Sequence, residues 1–227
     1  LLNKHDLADE KVNDAWVEYF KEKGIHAVKI NAKNGSGLKS IQGVINEACK
    51  EKIERDRKRG ILNRPIRAMV VGIPNVGKST FINAYAGRNC AKTGNMPGVT
   101  KGKQWIRLNK NVELLDTPGI LWPKFSDEQV GIRLALVGSI NDQIINMTEL
   151  SYELIKFMRG AYPGRLADRY GVDETKEPHE VLTDIAVARA CMKKGGEPDE
   201  EKAIKLLFDD FRSGKLGRVS LERPEQQ

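Results

Sequence analysis

Gly72-Ile73-Pro74-Asn75-Val76-Gly77-Lys78-Ser79 fits the pattern G-x-x-x-x-G-K-[ST]. In that pattern the glycines let successive backbone N–H groups turn inward around phosphates, and the helix that follows points its positive end at the same anion. The flanks agree with this reading. Ala68-Met69-Val70-Val71 is an uninterrupted apolar run, which predicts a strand over 67–72 buried on both faces, and a helix is expected to open at Lys78. Lys78 would then pair with the β and γ phosphates, and the Ser79 hydroxyl would be a Mg²⁺ ligand. Pro74, Asn75, Val76, Gly77 and Thr80 complete the expected nucleotide contacts of the loop.

Working outward, Asp116-Thr117-Pro118-Gly119 closes a second apolar strand, Val112 to Leu115. On its own this is an ordinary turn cluster. Behind a phosphate loop, Asp116 can reach a Mg²⁺ shell through water, and Gly119 can bring its backbone N–H to a γ-phosphate. Thr100 lies between the two motifs in a stretch rich in Gly and Pro (Gly94, Pro97, Gly98). Its loop can close over a nucleotide and bring the hydroxyl to Mg²⁺, with a passive loop threonine as the other reading. Lys78, Thr100 and Gly119 are thus the candidate catalytic positions. Ile120 follows Gly119, where a side chain able to orient an attacking water would be of use. An isoleucine cannot hydrogen-bond water, so slow unaided hydrolysis is expected.

The opening Asn3-Lys4-His5-Asp6 supplies base selectivity. A carboxylate at Asp6 can accept from both N1–H and the 2-amino group of guanine, a pair of donors that adenine lacks. Asn3 can contact the purine edge, and the Lys4 stem can lie over the ring. In Asn31-Ala32-Lys33 the Ala32 N–H would meet guanine O6. Each segment alone is a common surface turn; together with the phosphate loop they specify a guanine nucleotide, GTP or GDP. Because Leu1-Leu2-Asn3-Lys4 reads as the end of a buried strand, residues upstream are expected.

The remainder of the 227 residues bounds the answer. The net charge is +7 and the pI near 9.2. Three scattered cysteines form neither a disulfide framework nor a zinc site. No apolar stretch approaches the roughly 18 residues of a membrane span, and no signal peptide opens the chain. A cytoplasmic protein is expected, with no membrane role and no DNA partner. Helices are predicted at 9–23, 38–59 and from 78, and strands at 25–30, 103–108 and 112–115, the last two around a hairpin turn at Asn109-Lys110-Asn111. This alternation predicts an α/β fold with a largely parallel sheet. Past residue 127 only helical segments follow, near 127–138, 149–160, 178–193 and 199–212. The expected division is therefore 1–145 for the nucleotide domain and 146–227 for an all-helical domain. Basic residues concentrate in Lys50 to Arg67 (eight, against three acids) and in the acid-free Arg88 to Lys110. The first run reads as a solvated helix end; the second suits phosphate neutralisation on RNA.

The base-reading segments precede the phosphate loop, the reverse of the usual order in GTPases. In that order the chain resembles the circularly permuted GTPases of the YlqF type. Gly98-Val99-Thr100-Lys101, Tyr162-Pro163-Gly164-Arg165-Leu166 and Phe211-Arg212-Ser213-Gly214-Lys215-Leu216-Gly217-Arg218 resemble the ribosome biogenesis GTPase A branch of that family. The resemblance implies a permuted P-loop GTPase domain with a C-terminal helical domain. It implies K⁺ coordination by the Asn75 side-chain oxygen, a plain loop hydrogen bond being the alternative. It also implies a role in late maturation of the large ribosomal subunit, whose precursor (rRNA and ribosomal proteins) is bound in the GTP state and stimulates turnover. A GTP-gated switch for a non-ribosomal protein and an ATP-driven kinase stay open as alternatives.

Overall fold

The computed structural model describes residues 1–61, 64–91, 104–108, 111–121 and 127–224. The chain divides into two compact units, one of residues 1–123 with 222–227, the other of residues 124–221. The division falls some twenty residues ahead of the expected 145–146. Its reason is packing, since Ala135 and Leu136 belong to the core of the helical unit.

In the first unit, β1 (Leu2–Asn3) pairs in parallel with β2 (Lys29–Ile30). Between them runs α1 (Glu10–Glu22), opened by the Asp9 carboxylate, which accepts from the Lys11 N–H. The expected helix over 38–59 is two: α2 (Leu38–Ala48) and α3 (Lys50–Lys58), meeting at Cys49. The apolar stripe explains the break. Helix α2 buries Ile41, whereas α3 buries no residue, so no packing holds α3 to the axis of α2.

The main sheet has the order β3 (Ile66–Val70), β5 (Val112–Asp116), β4 (Gln104–Arg107). Strands β3 and β5 are parallel, β4 and β5 antiparallel, and the Leu108 N–H donates to Val112 O across the predicted hairpin. Helix α4 (Lys78–Ala86) follows the phosphate loop. One core holds both ladders to the helices: Ile30, Ala32 and Ile41 cluster with Phe81, Ile82, Ile106, Val112 and Leu114. Strand β3 departs from the expectation of burial on both faces. Ile66 is buried and Ala68 and Val70 pack on the core, but Met69 is 60% exposed and Val71 66%. The alternation of a half-buried strand is thus present in position and masked in composition, because both faces carry apolar side chains.

The second unit is helical among its described residues: α5 (Glu128–Leu136), α6 (Met147–Ala161), α7 (Arg165–Tyr170), α8 (Pro178–Ala188) and α9 (Glu200–Arg212). Leu154, Ile155, Met158, Leu166, Leu182, Ile185 and Leu207 are wholly buried at its centre. Short α7 is not foreseen from periodicity. Its first N–H groups are satisfied by the Glu174 carboxylate, which accepts from Gly164, Leu166 (3.1 Å) and Ala167 (3.3 Å). The Tyr162–Leu166 motif does a second job here. The Arg165 guanidinium lies over the Tyr162 ring and donates to Leu216 O and Arg218 O, while the Tyr162 hydroxyl accepts from the Ser220 N–H. The two tail motifs of the sequence are therefore partners, and they fasten the segment after α9.

Candidate nucleotide site

The phosphate loop leaves β3 and enters α4 through Gly77, whose φ of +91° lies in the left-handed region. No side chain caps α4, which leaves its opening N–H groups without the usual side-chain acceptor and suited to an anion. Asn75 also has positive φ (60°), a conformation that asparagine tolerates better than most residues. The Lys78 ammonium folds back along the loop and donates to Gly72 O (2.9 Å) and Ile73 O (2.8 Å). Burial lowers its pKa, and the Asp116 charge opposes that shift.

Strand β5 delivers Asp116, only 2% exposed, to the same end of the sheet. Burial raises its carboxyl pKa; the Lys78 charge and the Thr117 backbone N–H pull the other way. Its Oδ1 is buried with no hydrogen-bond partner among the described residues. Such an oxygen costs free energy until a donor reaches it, and metal-bound water is a fitting donor. Thr117 is a positioning residue that sequence reasoning missed: its hydroxyl donates to Val70 O at 2.7 Å, tying the end of β5 to β3. Gly119 packs directly on the loop. A Cβ there would stand 2.7 Å from Pro74 Cα and 2.8 Å from Pro74 N, so no larger residue fits.

The base-reading segment is bonded to this loop across more than seventy residues of sequence. Asn3 Nδ2 donates to Val76 O (2.8 Å), and Lys4 Nζ donates to Asn75 O (3.0 Å). Asn3 Oδ1 accepts from Ala32 N–H at 3.0 Å, which brings in the third segment. That N–H, aimed from sequence at a purine oxygen, is thus engaged by Asn3 here, and Asn3 itself acts as a brace between loops. A Cβ on Gly77 would collide with Asn3 Nδ2, which makes glycine necessary there twice over. Asn31 Oδ1 accepts from the backbone N–H groups of Lys33 and Asn34 and shapes its own turn. Asn13, nearly buried in α1, donates to His5 O and supports the opening turn; nothing in the sequence distinguishes it from a surface asparagine. Asp6 Oδ1 is buried and lacks a hydrogen-bond partner among the described residues. A ligand with paired N–H donors would satisfy it. Two orphaned carboxylate oxygens, a glycine-backed loop and an uncapped helix start therefore fit a guanine nucleotide with Mg²⁺. Ser79 and Thr80 open α4 beside Lys78. Thr100, with Gly98, Val99 and Lys101, lies outside the described residues.

Known proteins resemble the chain over its whole length. Residues 67–182 match the family described as 50S ribosome-binding GTPase. The ribosome biogenesis GTPase A of Bacillus cereus is 48% identical over the whole of this chain and 77% of its own length; that of Thermotoga maritima is 37% identical over 99% and 76%. Among solved structures, GNP-bound YlqF from T. maritima is similar with a TM-score of 0.66 and 34% identity, over 99% of this chain and 81% of that one. A GDP-bound YlqF matches equally well. With the loops in permuted order, the sheet and helical unit of a YlqF relative and half of its length under one family description, the chain belongs to the 50S ribosome-binding GTPase family, as a circularly permuted GTPase with a C-terminal helical part.

Proposed function

We propose that this GTPase assists late maturation of the large ribosomal subunit in the cytoplasm, binding the precursor particle with GTP and leaving after hydrolysis. The observation that carries the guanine-specific part is the pair of bonds from Asn3 and Lys4 to the carbonyls of Val76 and Asn75, which brings both ends of one ligand site together. Asp6 reads the base. Asn3, Asn31, Ala32 and Lys33 hold the base-side turns, and the Lys4 stem covers the ring. The N–H groups from Asn75 to Thr80 and the Lys78 ammonium take the phosphates, with Pro74 shaping the loop. Ser79 and Thr100, and Asp116 through water, would hold Mg²⁺, which would supply neutralisation of the phosphate charge. The Asn75 side-chain oxygen would be the group to hold K⁺. Gly119 offers its N–H to the γ-phosphate. Ile120, 71% exposed, gives no hydrogen bond to water, so turnover alone is slow and the particle supplies the missing group.

The ribosomal part rests on what the relatives are named for and on charge. Residues 124–221 carry 15 basic and 17 acidic residues, so the basic surplus lies in the first unit. GTP hydrolysis measured with and without large ribosomal subunits, in K⁺ and in Na⁺, tests the proposal. A rise of tenfold or more with subunits in K⁺ is expected; an unchanged rate overturns it. A second reading has its own observation. An apolar hollow of about 400 Å³ beside the phosphate loop, lined by Val71, Ile73, Pro118, Ile120 and Leu121, suits a protein side chain at the second switch. GTP-dependent capture of a non-ribosomal protein, with no binding to large subunits, would establish that reading instead.

A further inference from the structure

The far end of β3 carries a second polar groove. It has a volume of about 450 Å³ and is lined by residues of α3 and of the start of the sheet, Ile66 and Asn111 among them. Strand β3 runs five residues, about 17 Å, from this groove toward the phosphate loop, so the two sites lie at opposite ends of the strand. Four cations line the groove: Lys50, Lys52, Arg57 and Arg64. The carboxylates Glu54 and Asp56 line it as well. Helical spacing offers Glu51–Arg55 and Glu54–Lys58 as i,i+4 ion pairs, the arrangement by which a solvated charged helix ordinarily neutralises itself. Neither pair forms. Among the described residues none of the seven cations from Lys50 to Arg64 is in an ion pair or a side-chain hydrogen bond. Their mutual repulsion is left standing on a helix that buries nothing.

We infer that this groove binds the phosphate backbone of RNA. Two of its four cations are arginines, whose planar forks match phosphate oxygens two at a time. The interleaved carboxylates would repel an acidic protein, but they can accept from the 2′-hydroxyls and base amino groups that RNA also presents. A lipid surface is disfavoured because Ile53 is the lone apolar residue in the nine of α3. The inference shares with the function proposed above only its RNA partner.

The test uses the full chain and a fluorescent 20-base-pair RNA hairpin, titrated between 50 and 200 mM KCl. The variant Lys50→Gln/Lys52→Gln/Arg57→Gln/Arg64→Gln should weaken binding more than tenfold at 100 mM. It should also flatten the slope of log affinity against log salt by about 3.6, as expected for four lost phosphate contacts on a duplex. The pairs Lys50→Gln/Lys52→Gln and Arg57→Gln/Arg64→Gln should each flatten it by about 1.8, and GDP affinity should be unchanged throughout. A matched variant on other exposed lysines, Lys39→Gln/Lys193→Gln/Lys194→Gln/Lys205→Gln, should leave the slope in place. An unchanged slope in the groove variants, an equal loss in the matched variant, or equal competition by polyglutamate or by anionic vesicles overturns the inference. Should the parent chain fail to bind large subunits while groove-dependent RNA binding persists, the function above falls and the groove stands. Should subunits bind the parent and the groove variants alike, with the hairpin slope also unmoved, the groove falls and the function stands.

Discussion

Gly77 and Gly119 are glycines for different reasons, and their substitutions separate two halves of the site. Gly77 combines positive φ with the Asn3 amide at its back, so Gly77→Ala displaces the base-side brace along with the loop. Gly119 has only the Pro74 backbone against it. Gly119→Ala is therefore expected to push on the phosphate loop itself, lowering kcat at least about tenfold and weakening GDP as well, while Asn3 keeps its bond to Ala32; single-turnover hydrolysis and fluorescent-GDP titration measure both losses. Asp6→Ala should cost GTP affinity by more than tenfold and leave the weaker affinity for ATP unchanged, read by competition with labelled GDP. Asp116 makes a prediction in pH. Burial raises its folded pKa above the ordinary 3.8, so the ligand-free fold binds this proton more tightly than the unfolded chain does. Its contribution to stability is greatest at low pH and is lost as pH rises from about 3.8 through the raised folded value. Asp116→Asn removes the buried charge, and melting temperature plotted against pH should lose that declining limb; a parallel shift of the whole curve would refute the assignment.

At the scale of elements, the sequence spoke clearly wherever a motif carried its own spacing. The phosphate loop, the strand before it, α4 and the β4–β5 hairpin are where Gly72–Ser79, the apolar run and Asn109–Asn111 predict them. It was silent where side chains far apart in the chain meet. Nothing near Arg165 announces that its guanidinium holds the carbonyls of Leu216 and Arg218, or that Glu174 completes the start of α7. The break at Cys49 was hidden for a related reason, because helical propensity continues through α3 although burial stops. Wholly buried Asp210 belongs to the same class. It receives Arg169 at 2.8 Å and Lys215 at 3.0 Å, and the Tyr170 hydroxyl donates to it. Burial opposes ionisation, yet the bonds from Lys215, Arg169 and Tyr170 prevail and hold its pKa below the usual 3.8. The stability it contributes is present above 3.8 and disappears as pH falls through the lowered folded value. Asp210→Ala leaves partly exposed cations facing an apolar centre and should cost about 2–3 kcal/mol in urea unfolding at pH 7, and progressively less as pH falls below 3.8.

For the whole molecule, two separate cores predict two events on heating. One is built on Ile30, Phe81, Ile82 and Val112, the other on Leu154, Met158, Leu182 and Leu207. Calorimetry should resolve two transitions, and a GTP analogue with Mg²⁺ should raise one by several degrees while leaving the other in place. A single transition that moves as one would mean the units melt together. Domain content was readable from the switch in periodicity after residue 127, but the position of the division was not, because α5 looks alike in sequence whichever core receives it. The brace between Asn3, Val76 and Ala32 has a kinetic corollary. Those bonds are made entirely within the polypeptide, so a departing nucleotide takes none of them along. A vacated cradle braced in this way should keep its outline, so stopped-flow reloading of the bare chain with labelled GDP should be a single step whose rate rises linearly with nucleotide; a concentration-independent lag would mean the pocket closes when emptied.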